Sequence, residues 1–165
     1  KLYKTHNDNM VNGIKDLCKM ADLIVPNYTE ACFLTGNDYR YDEDDELRTE
    51  EMAKSLLDLG CKNALLTGVH ILENKLLSVL SSKQEAIRYY EDSLHFNFFG
   101  AGDMLASTVL GYILKGMQIK SAIRPALSFM QQVVRGSIVN NGLKFLDLKF
   151  EDKLKYLADE SKLSG

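Results

Sequence analysis

Hydrophobic residues recur at two spacings along the chain, and each spacing predicts a different kind of element. Short apolar runs at 23–25 and 63–67 predict buried strands. Alternating apolar and polar residues at 76–80 and 86–90 predict a hairpin of more exposed strands. Because these strands alternate with helices, we expect an α/β fold with a mostly parallel sheet and helices on both faces. The helices are predicted from apolar residues three and four positions apart, at 7–20, 28–35, 49–59, 104–115, 121–140 and 150–157.

Polar residues mark the ends of two of these helices. Asn27 is a favourable N-cap with Glu30 three residues later, and Gly36 is placed to end the same helix. Thr49 is predicted to cap the next helix. The acidic stretch 37–48 is predicted to form a solvated loop.

Composition excludes several classes of protein. The chain has 165 residues, of which 45% are hydrophobic and 26% charged, with a formal net charge of −3, as in an ordinary globular domain. A weakly acidic chain lacks the basic surface that nucleic acids require, so we expect no nucleic-acid partner. No apolar run approaches the roughly 18 residues of a membrane span. Three widely spaced cysteines and the lack of a secretory signal favour a reducing, cytoplasmic location.

The most informative motif is Gly100-Ala101-Gly102-Asp103, which precedes a well-patterned helix. Two glycines let the backbone approach a ligand closely, and the first N–H groups of the helix behind them have no intrahelical partners. With the helix dipole, these groups would form an anion hole for a phosphoryl group in transfer. Asp103 at its rim could accept the proton of an attacking hydroxyl group. The structural alternative is that Asp103 simply occupies the start of a helix that follows a glycine turn.

Two further polar motifs follow predicted strands, where open α/β sheets gather their ligands. Glu30 would lie near the phosphates, and its carboxylate could hold Mg²⁺ directly or through water. The alternative is that Asn27 and Glu30 form a plain capping box. Thr67, with Gly68 after it, could bind a nucleotide phosphate, although such a dipeptide is also typical of a turn that ends a strand.

Three segments resemble motifs of the pyridoxal kinases in the ribokinase-like superfamily. Residues 21–36 are similar to the segment ADxxxPNxxEAxxLTG, and residues 65–68 resemble a strand whose terminal threonine contacts ATP phosphate. Residues 99–107 are similar to the family's GTGDxFAA segment with its preceding residue. The three motifs stand in the family's order, and the resemblance extends from residue 2 to about residue 141. It implies a ribokinase-like three-layer fold, here incomplete on its N-terminal side.

The resemblance also implies an activity, namely ATP-dependent phosphorylation of the 5′-hydroxymethyl group of pyridoxal and related B6 vitamers. It implies ATP and Mg²⁺ as cofactors, with a monovalent cation as a further candidate, and a homodimer of the full-length protein. Glu30 would contact the metal indirectly, through water. The site residues that the resemblance assigns are Tyr3 for the substrate, Asn27 and Glu30 for ATP and Mg²⁺, Thr67 and Gly68 for the nucleotide, Gly100, Ala101 and Gly102 for the anion hole, and Asp103 as the catalytic base.

Two departures from the family pattern limit this assignment. Ala101 replaces the commoner threonine between the glycines, which removes a hydroxyl but keeps the backbone donors. The family's first strands and substrate loops should lie before Lys1, so residues 1–165 are expected to be the C-terminal, ATP-binding and catalytic portion of one kinase domain. We expect this portion alone to be inactive. Two alternatives stay open: a hydroxymethylpyrimidine kinase of the same superfamily, and a nucleotide-binding module without catalysis.

Overall fold

The computed structural model describes residues 8–37, 46–72, 74–93, 98, 100–141, 148 and 150–158. The chain divides into two compact units, Lys1–Tyr90 and Glu91–Gly165. The first unit contains three helices and the sheet, whose last strand runs two residues past the boundary. The second unit is helical.

The sheet has three strands in the order β1 (Asn63–Leu72), β2 (Lys75–Ser82) and β3 (Ala86–Asp92). β1 and β2 are antiparallel, and only two or three residues separate consecutive strands. Links this short cannot make the crossover that parallel neighbours need. Parallel pairing in the described residues is limited to two isolated bridges, one between residues 24 and 64 and one between residues 27 and 67. The α/β class is confirmed, but these regular strands do not form the mostly parallel sheet that was expected.

The hairpin of β2 and β3 is less exposed than its alternating pattern predicts. Residues 77–81 of β2 are all buried, including Ser78 and Ser81. The alternation of polar and apolar residues therefore does not mark a solvent-facing side of β2. The expectation of an exposed strand at 76–80 is wrong for this reason.

The first two helices are α1 (Asp8–Cys18) and α2 (Tyr28–Thr35). α1 ends two residues earlier than predicted. The predicted ends of α2 are confirmed, since Asn27 is its N-cap and Gly36 follows it with a left-handed φ of 76°. Cys18 and Cys32 are buried, as expected for small apolar side chains, and burial raises the pKa of both thiols.

The third helix, α3 (Glu46–Ser55), starts earlier than predicted and continues into a 3-10 turn at Leu56–Leu59. The carboxylate of Glu46 accepts a hydrogen bond from Arg88 Nη1 at 2.9 Å, from a strand 42 residues away. Glu50 accepts another from Arg88 Nε, also at 2.9 Å. These contacts stabilise a first turn that the local sequence does not mark. Thr49 is therefore a buried residue inside α3, and the prediction that it caps the helix is wrong; residues 38–45 of the predicted loop lie outside the described residues.

The second unit is built on α4 (Ala101–Leu114) and α5 (Ile119–Asn141), which pack against each other. After α5 the described chain forms a 3-10 turn at Glu151–Lys153 and a short helix, α6 (Lys155–Ala158), in place of the single helix predicted at 150–157. The 3-10 turn has no fully buried residue, so little packing favours a regular helix there. Within the residues that the structure describes, no helix has the length and apolar character needed to cross a membrane.

Two hydrogen bonds join Asp92, at the end of β3, to α5, and the neighbouring acid Glu91 is partly buried. Gln131 Nε2 donates to the Asp92 carbonyl at 2.9 Å, and Arg135 Nη2 donates to the Asp92 carboxylate at 3.0 Å. The neighbouring Glu91 is largely removed from water, and this burial raises its pKa from 4.5 to about 7 against the opposing charge of Arg124.

Replacing Glu91 with glutamine should flatten the pH dependence of stability. The folded protein keeps a proton on Glu91 between about pH 4.5 and about pH 7, where the unfolded chain has released it. The folded state of the wild type therefore loses stability as pH rises through this window. Thermal unfolding at about pH 5 and about pH 8 should show a smaller difference for Glu91→Gln than for the wild type. Glu151→Gln, on an exposed turn, is the control, and an unchanged slope in Glu91→Gln would contradict the assignment.

Candidate active site

The first turn of α4 contains the glycine motif. Gly100 is the N-cap and adopts a left-handed backbone with φ 78°, a conformation that costs other L-residues about 1–2 kcal/mol. Ala101, Gly102 and Asp103 are the first three helical residues, so the helix starts inside the motif and not behind it. Their N–H groups have no partner within the helix and carry the positive end of its dipole. This placement is what the predicted anion hole requires, and its role in binding stays a prediction.

Asp103 and Gly102 are both exposed at the start of α4. A Cβ atom built on Gly102 would meet no other atom within 4 Å, so the structure itself does not demand glycine there. A ligand that approaches the backbone closely would make that demand. Asp103 lies one residue further along, where its carboxylate could reach the same ligand.

A cleft of about 860 Å³ runs along α4 within the second unit. Gly100 and Asp103 lie at one end, and Lys115 lies at the other. These ends are 15 residues apart, which corresponds to about 22 Å of helix. The facing wall comes from the chain after α5 and is apolar: Leu148, Phe150, Leu154 and Leu157. The cleft therefore offers apolar surface along its length. At the end where Gly100 lies, it offers backbone N–H groups without a partner in the helix, which suit an anion.

Asn27 and Glu30 are held together at the start of α2. The Asn27 N–H donates to Glu30 Oε2 at 2.9 Å, and the Glu30 N–H donates to Asn27 Oδ1 at 3.0 Å. This reciprocal pair confirms the capping box. Glu30 is exposed, and its Oε1 accepts no hydrogen bond from the residues that the structure describes. One carboxylate oxygen is therefore left for a metal ion or its water, and that role stays a prediction.

Thr67 lies beside Asn27, to which it is joined by a parallel bridge. The structure thus brings these two candidates and Glu30 to the same end of one strand pair. Thr67 is buried, and both its hydroxyl and its N–H donate to the Pro26 carbonyl, at 3.3 and 3.0 Å. The hydroxyl is therefore engaged within the fold, and binding of a phosphate would require it to change partner.

Gly68 does not end a strand, contrary to the prediction. β1 continues to residue 72, and Gly68 occupies a register shift between residues 66 and 69 with φ 68°. This is a β-bulge, which only a residue tolerant of positive φ adopts readily. Gly68 does mark an irregular backbone, but the irregularity is a bulge within β1 and not a turn at its end.

Other candidates fall outside these two sites. Tyr3, the residue predicted to contact the substrate, lies outside the described residues. Among the described residues there is no group of three or more His, Cys, Asp or Glu side chains that could hold a metal ion. Any Mg²⁺ bound through this part of the chain would have to use few protein ligands and its own water, as Mg²⁺ commonly does.

The cleft residues are what the sequence reasoning missed. On α4 they include Ser107 and Gly111, which follow Asp103 at intervals of four residues. This small and polar stripe is visible in the sequence, but the stronger apolar stripe on the same helix conceals it. The facing apolar wall comes from residues far along the chain and leaves no local signal.

Comparison with known proteins identifies the family. The sequence matches the family described as phosphomethylpyrimidine kinase over residues 3–146. The chain belongs to this family. The chain is 31% identical over 120 residues to the thiamine biosynthesis bifunctional protein ThiED of Geobacter sulfurreducens; the matched segment covers 72% of this chain and 24% of that protein. It is 29% identical over 129 residues to the pyridoxine kinase of Bacillus subtilis, and this match covers 77% of this chain and 46% of that protein.

Solved structures of two related kinases share the fold. The pyridoxal kinase of Lactobacillus plantarum superposes with a TM-score of 0.83 at 22% identity, covering 99% of this chain and 59% of that one. PdxK of Plasmodium falciparum, solved with the ligands AMP-PNP and PL, has a TM-score of 0.78 at 25% identity, covering 97% of this chain and 53% of that one. These matches confirm the ribokinase-like fold. The chain spans about half or less of the length of the relatives that it matches.

Gly102→Ala should stabilise the protein while weakening its binding of phosphate groups. Alanine favours a helix by up to about 1 kcal/mol over glycine, and its Cβ meets no atom here. The same methyl group would stand between the backbone and a bound phosphate. Thermal unfolding and titration with the ATP analogue AMP-PNP, which keeps a γ-phosphate, measure the two effects.

Gly13→Ala is the matched control, since Gly13 lies inside α1 and its added Cβ also meets nothing within 4 Å. Both variants should raise the unfolding temperature, but only Gly102→Ala should bind AMP-PNP more weakly. Equal AMP-PNP affinity in both variants would remove the first turn of α4 from the phosphate site.

Proposed function

We propose that the protein carrying this chain is an ATP-dependent kinase that phosphorylates the 5′-hydroxymethyl group of pyridoxal. The observation that carries the proposal is the first turn of α4, where exposed Asp103 adjoins the free end of a helix and the mouth of a cleft. Charge stabilisation and an oriented nucleophile are the two requirements of phosphoryl transfer. Family membership and the ligands of the P. falciparum structure support the same reaction class.

In the proposed reaction, the carboxylate of Asp103 accepts the proton of the acceptor hydroxyl group. The acceptor oxygen then bonds to the γ-phosphorus of ATP as the bond from that phosphorus to the ADP oxygen breaks. The N–H groups of Ala101 and Gly102 stabilise the negative charge on the transferring phosphoryl oxygens. ADP and the phosphate ester leave, and Asp103 returns its proton to solvent.

The turn at Gly100, which lies at one end of the cleft, would hold phosphates of the nucleotide. Mg²⁺, when bound, would neutralise phosphate charge, and Glu30 with its remaining carboxylate oxygen is the residue proposed to hold it through water. A cytoplasmic location and a homodimer of the full-length protein belong to the same proposal, by family resemblance.

Asp103→Asn should abolish turnover in the full-length protein while ADP affinity changes by no more than about threefold. The amide keeps the size of the side chain but cannot accept the hydroxyl proton, so general-base catalysis of about 10²–10⁴-fold is lost. Steady-state phosphorylation and ADP titration separate the two effects. Unchanged turnover would remove Asp103 from the mechanism. A protein that binds ADP but phosphorylates no acceptor, even with Asp103 intact, would instead be the nucleotide-binding module.

The identity of the acceptor is the finer question. Hydroxymethylpyrimidine is the second candidate, because the matched family is described as phosphomethylpyrimidine kinase and the ThiED relative is named for thiamine biosynthesis. Both molecules present a CH₂OH group on an aromatic ring, so the chemistry at Asp103 would be the same.

We expect the full-length protein to show a higher kcat/KM with pyridoxal than with hydroxymethylpyrimidine, measured side by side. The reverse order would assign it to the pyrimidine branch and leave the kinase mechanism intact. The 165-residue chain alone should show no turnover with either acceptor, and robust product formation would disprove its proposed incompleteness.

A further inference from the structure

The chain at the end of β3 meets one face of α5 within the second unit. Gln131 and Arg135, which donate to the carbonyl and the carboxylate of Asp92, are four residues apart on that face. Arg124 lies on the same face, seven residues before Gln131. The contact between residues 91–93 and these three side chains of α5 is called here the clasp.

The side-chain amide of Gln131 has one atom in use and one without a partner. The Asp92 carbonyl can only accept a hydrogen bond, so the amide must turn its N–H toward Asp92 and its oxygen away. That oxygen, Oε1, is buried and accepts no hydrogen bond from the residues that the structure describes. Burial of an acceptor without a donor is unfavourable, so a donor is expected beside it.

Glu91 is next to Asp92 in the chain, and its side chain lies on the inner side of the strand. The residues two positions before and after it, Tyr89 and Ser93, are both buried, whereas Asp92 is exposed. Side chains of a strand alternate between its two faces, so Glu91 shares the inner face with Tyr89 and Ser93. In its acid form this carboxyl group has one O–H to donate.

The charged groups around Glu91 leave it in this acid form at low and neutral pH. Burial raises the pKa of Glu91 to about 7, and the charge of Arg124 lowers it by a smaller amount. Arg124 stands about 10 Å along α5 from Gln131. Arg135 is already paired with the carboxylate of Asp92. The two arginines on this face of α5 therefore do not compensate fully for an ionised Glu91.

We propose that Glu91 in its acid form donates a hydrogen bond to Gln131 Oε1 and closes the clasp, which opens when the carboxyl group ionises. The carboxylate has no proton to donate, and its oxygens would face another acceptor, so ionisation replaces the bond with a repulsion.

The clasp holds the part of the chain that precedes the glycine motif. Gly100 follows Asp92 by eight residues, and α5, which holds Asp92, also packs against α4. The clasp is therefore a pH-sensitive attachment of this segment to the helix pair behind the motif. It does not depend on the proposed kinase activity.

An NMR titration of the side-chain carboxyl carbon of Glu91 in the full-length protein tests the hydrogen bond, with the signal assigned by its loss in Glu91→Gln. Gln131→Met keeps the length of the side chain but removes the amide oxygen. Loss of a bond that stabilises the acid form should lower the pKa of Glu91 by about one pH unit. Gln132→Met, at the neighbouring exposed glutamine of α5, is the matched control and should leave that pKa unchanged.

Hydrogen exchange tests the opening of the clasp without a change at Gln131. Glutamine at position 91 keeps an N–H donor at every pH, so Glu91→Gln should hold the clasp closed. At about pH 8 the amides of residues 91–93 should exchange at least about threefold faster in the wild type than in Glu91→Gln. At about pH 5 the two proteins should exchange at equal rates.

Each measurement has a result that overturns the inference. An unchanged or higher pKa of Glu91 in Gln131→Met would mean that burial alone keeps the proton in place. Equal exchange of the wild type and Glu91→Gln at about pH 8 would mean that ionisation does not open the clasp, and this comparison decides the matter if Gln131→Met does not fold. Neither result affects the kinase proposal, which is tested by the turnover of Asp103→Asn.

Discussion

The backbone at the start of α4 is the constraint on which the candidate site depends, because its amides are left without a capping side chain. Gly100 takes a left-handed conformation and has no side chain that could accept from the following turn. A serine or aspartate side chain could accept a hydrogen bond from this turn, but the left-handed backbone at position 100 disfavours both residues. The same chain uses a complete capping box on α2, with Asn27 and Glu30. The contrast between the two helix starts is expected if the amides of α4 serve an external anion.

The capping box and a role near the metal ion do not exclude each other. Glu30 satisfies the Asn27 N–H with Oε2 alone, and the side chain stays exposed. The backbone hydrogen bond fixes the direction of the carboxylate, so little rotamer entropy would be lost when Oε1 meets a ligand. Thr67 differs, because its hydroxyl already donates to Pro26 in a buried setting. Of the candidates in the first unit, Glu30 is thus better prepared for a ligand than Thr67.

Local sequence predicted those features whose causes are local. The cap at Asn27, the end of α2 at Gly36 and the helix after Gly100 each depend on residues within one turn, and all three are present. The start of α3 was missed because its support comes from Arg88, 42 residues away. The cleft was missed for the same reason, since the contact between Lys115 and the Leu157 carbonyl also spans 42 residues. Neither contact has a periodicity or a spacing that a single sequence could reveal.

The face of α4 that lines the cleft changes in chemistry from the start of the helix to its end. Near its start the face is bare backbone and a carboxylate; further along, Ser107 and Gly111 are small enough to leave room above the helix. Near its end, Lys115 donates a hydrogen bond to the Leu157 carbonyl of the opposite wall. The cleft therefore combines backbone donors and a carboxylate at one end with apolar side chains along its wall.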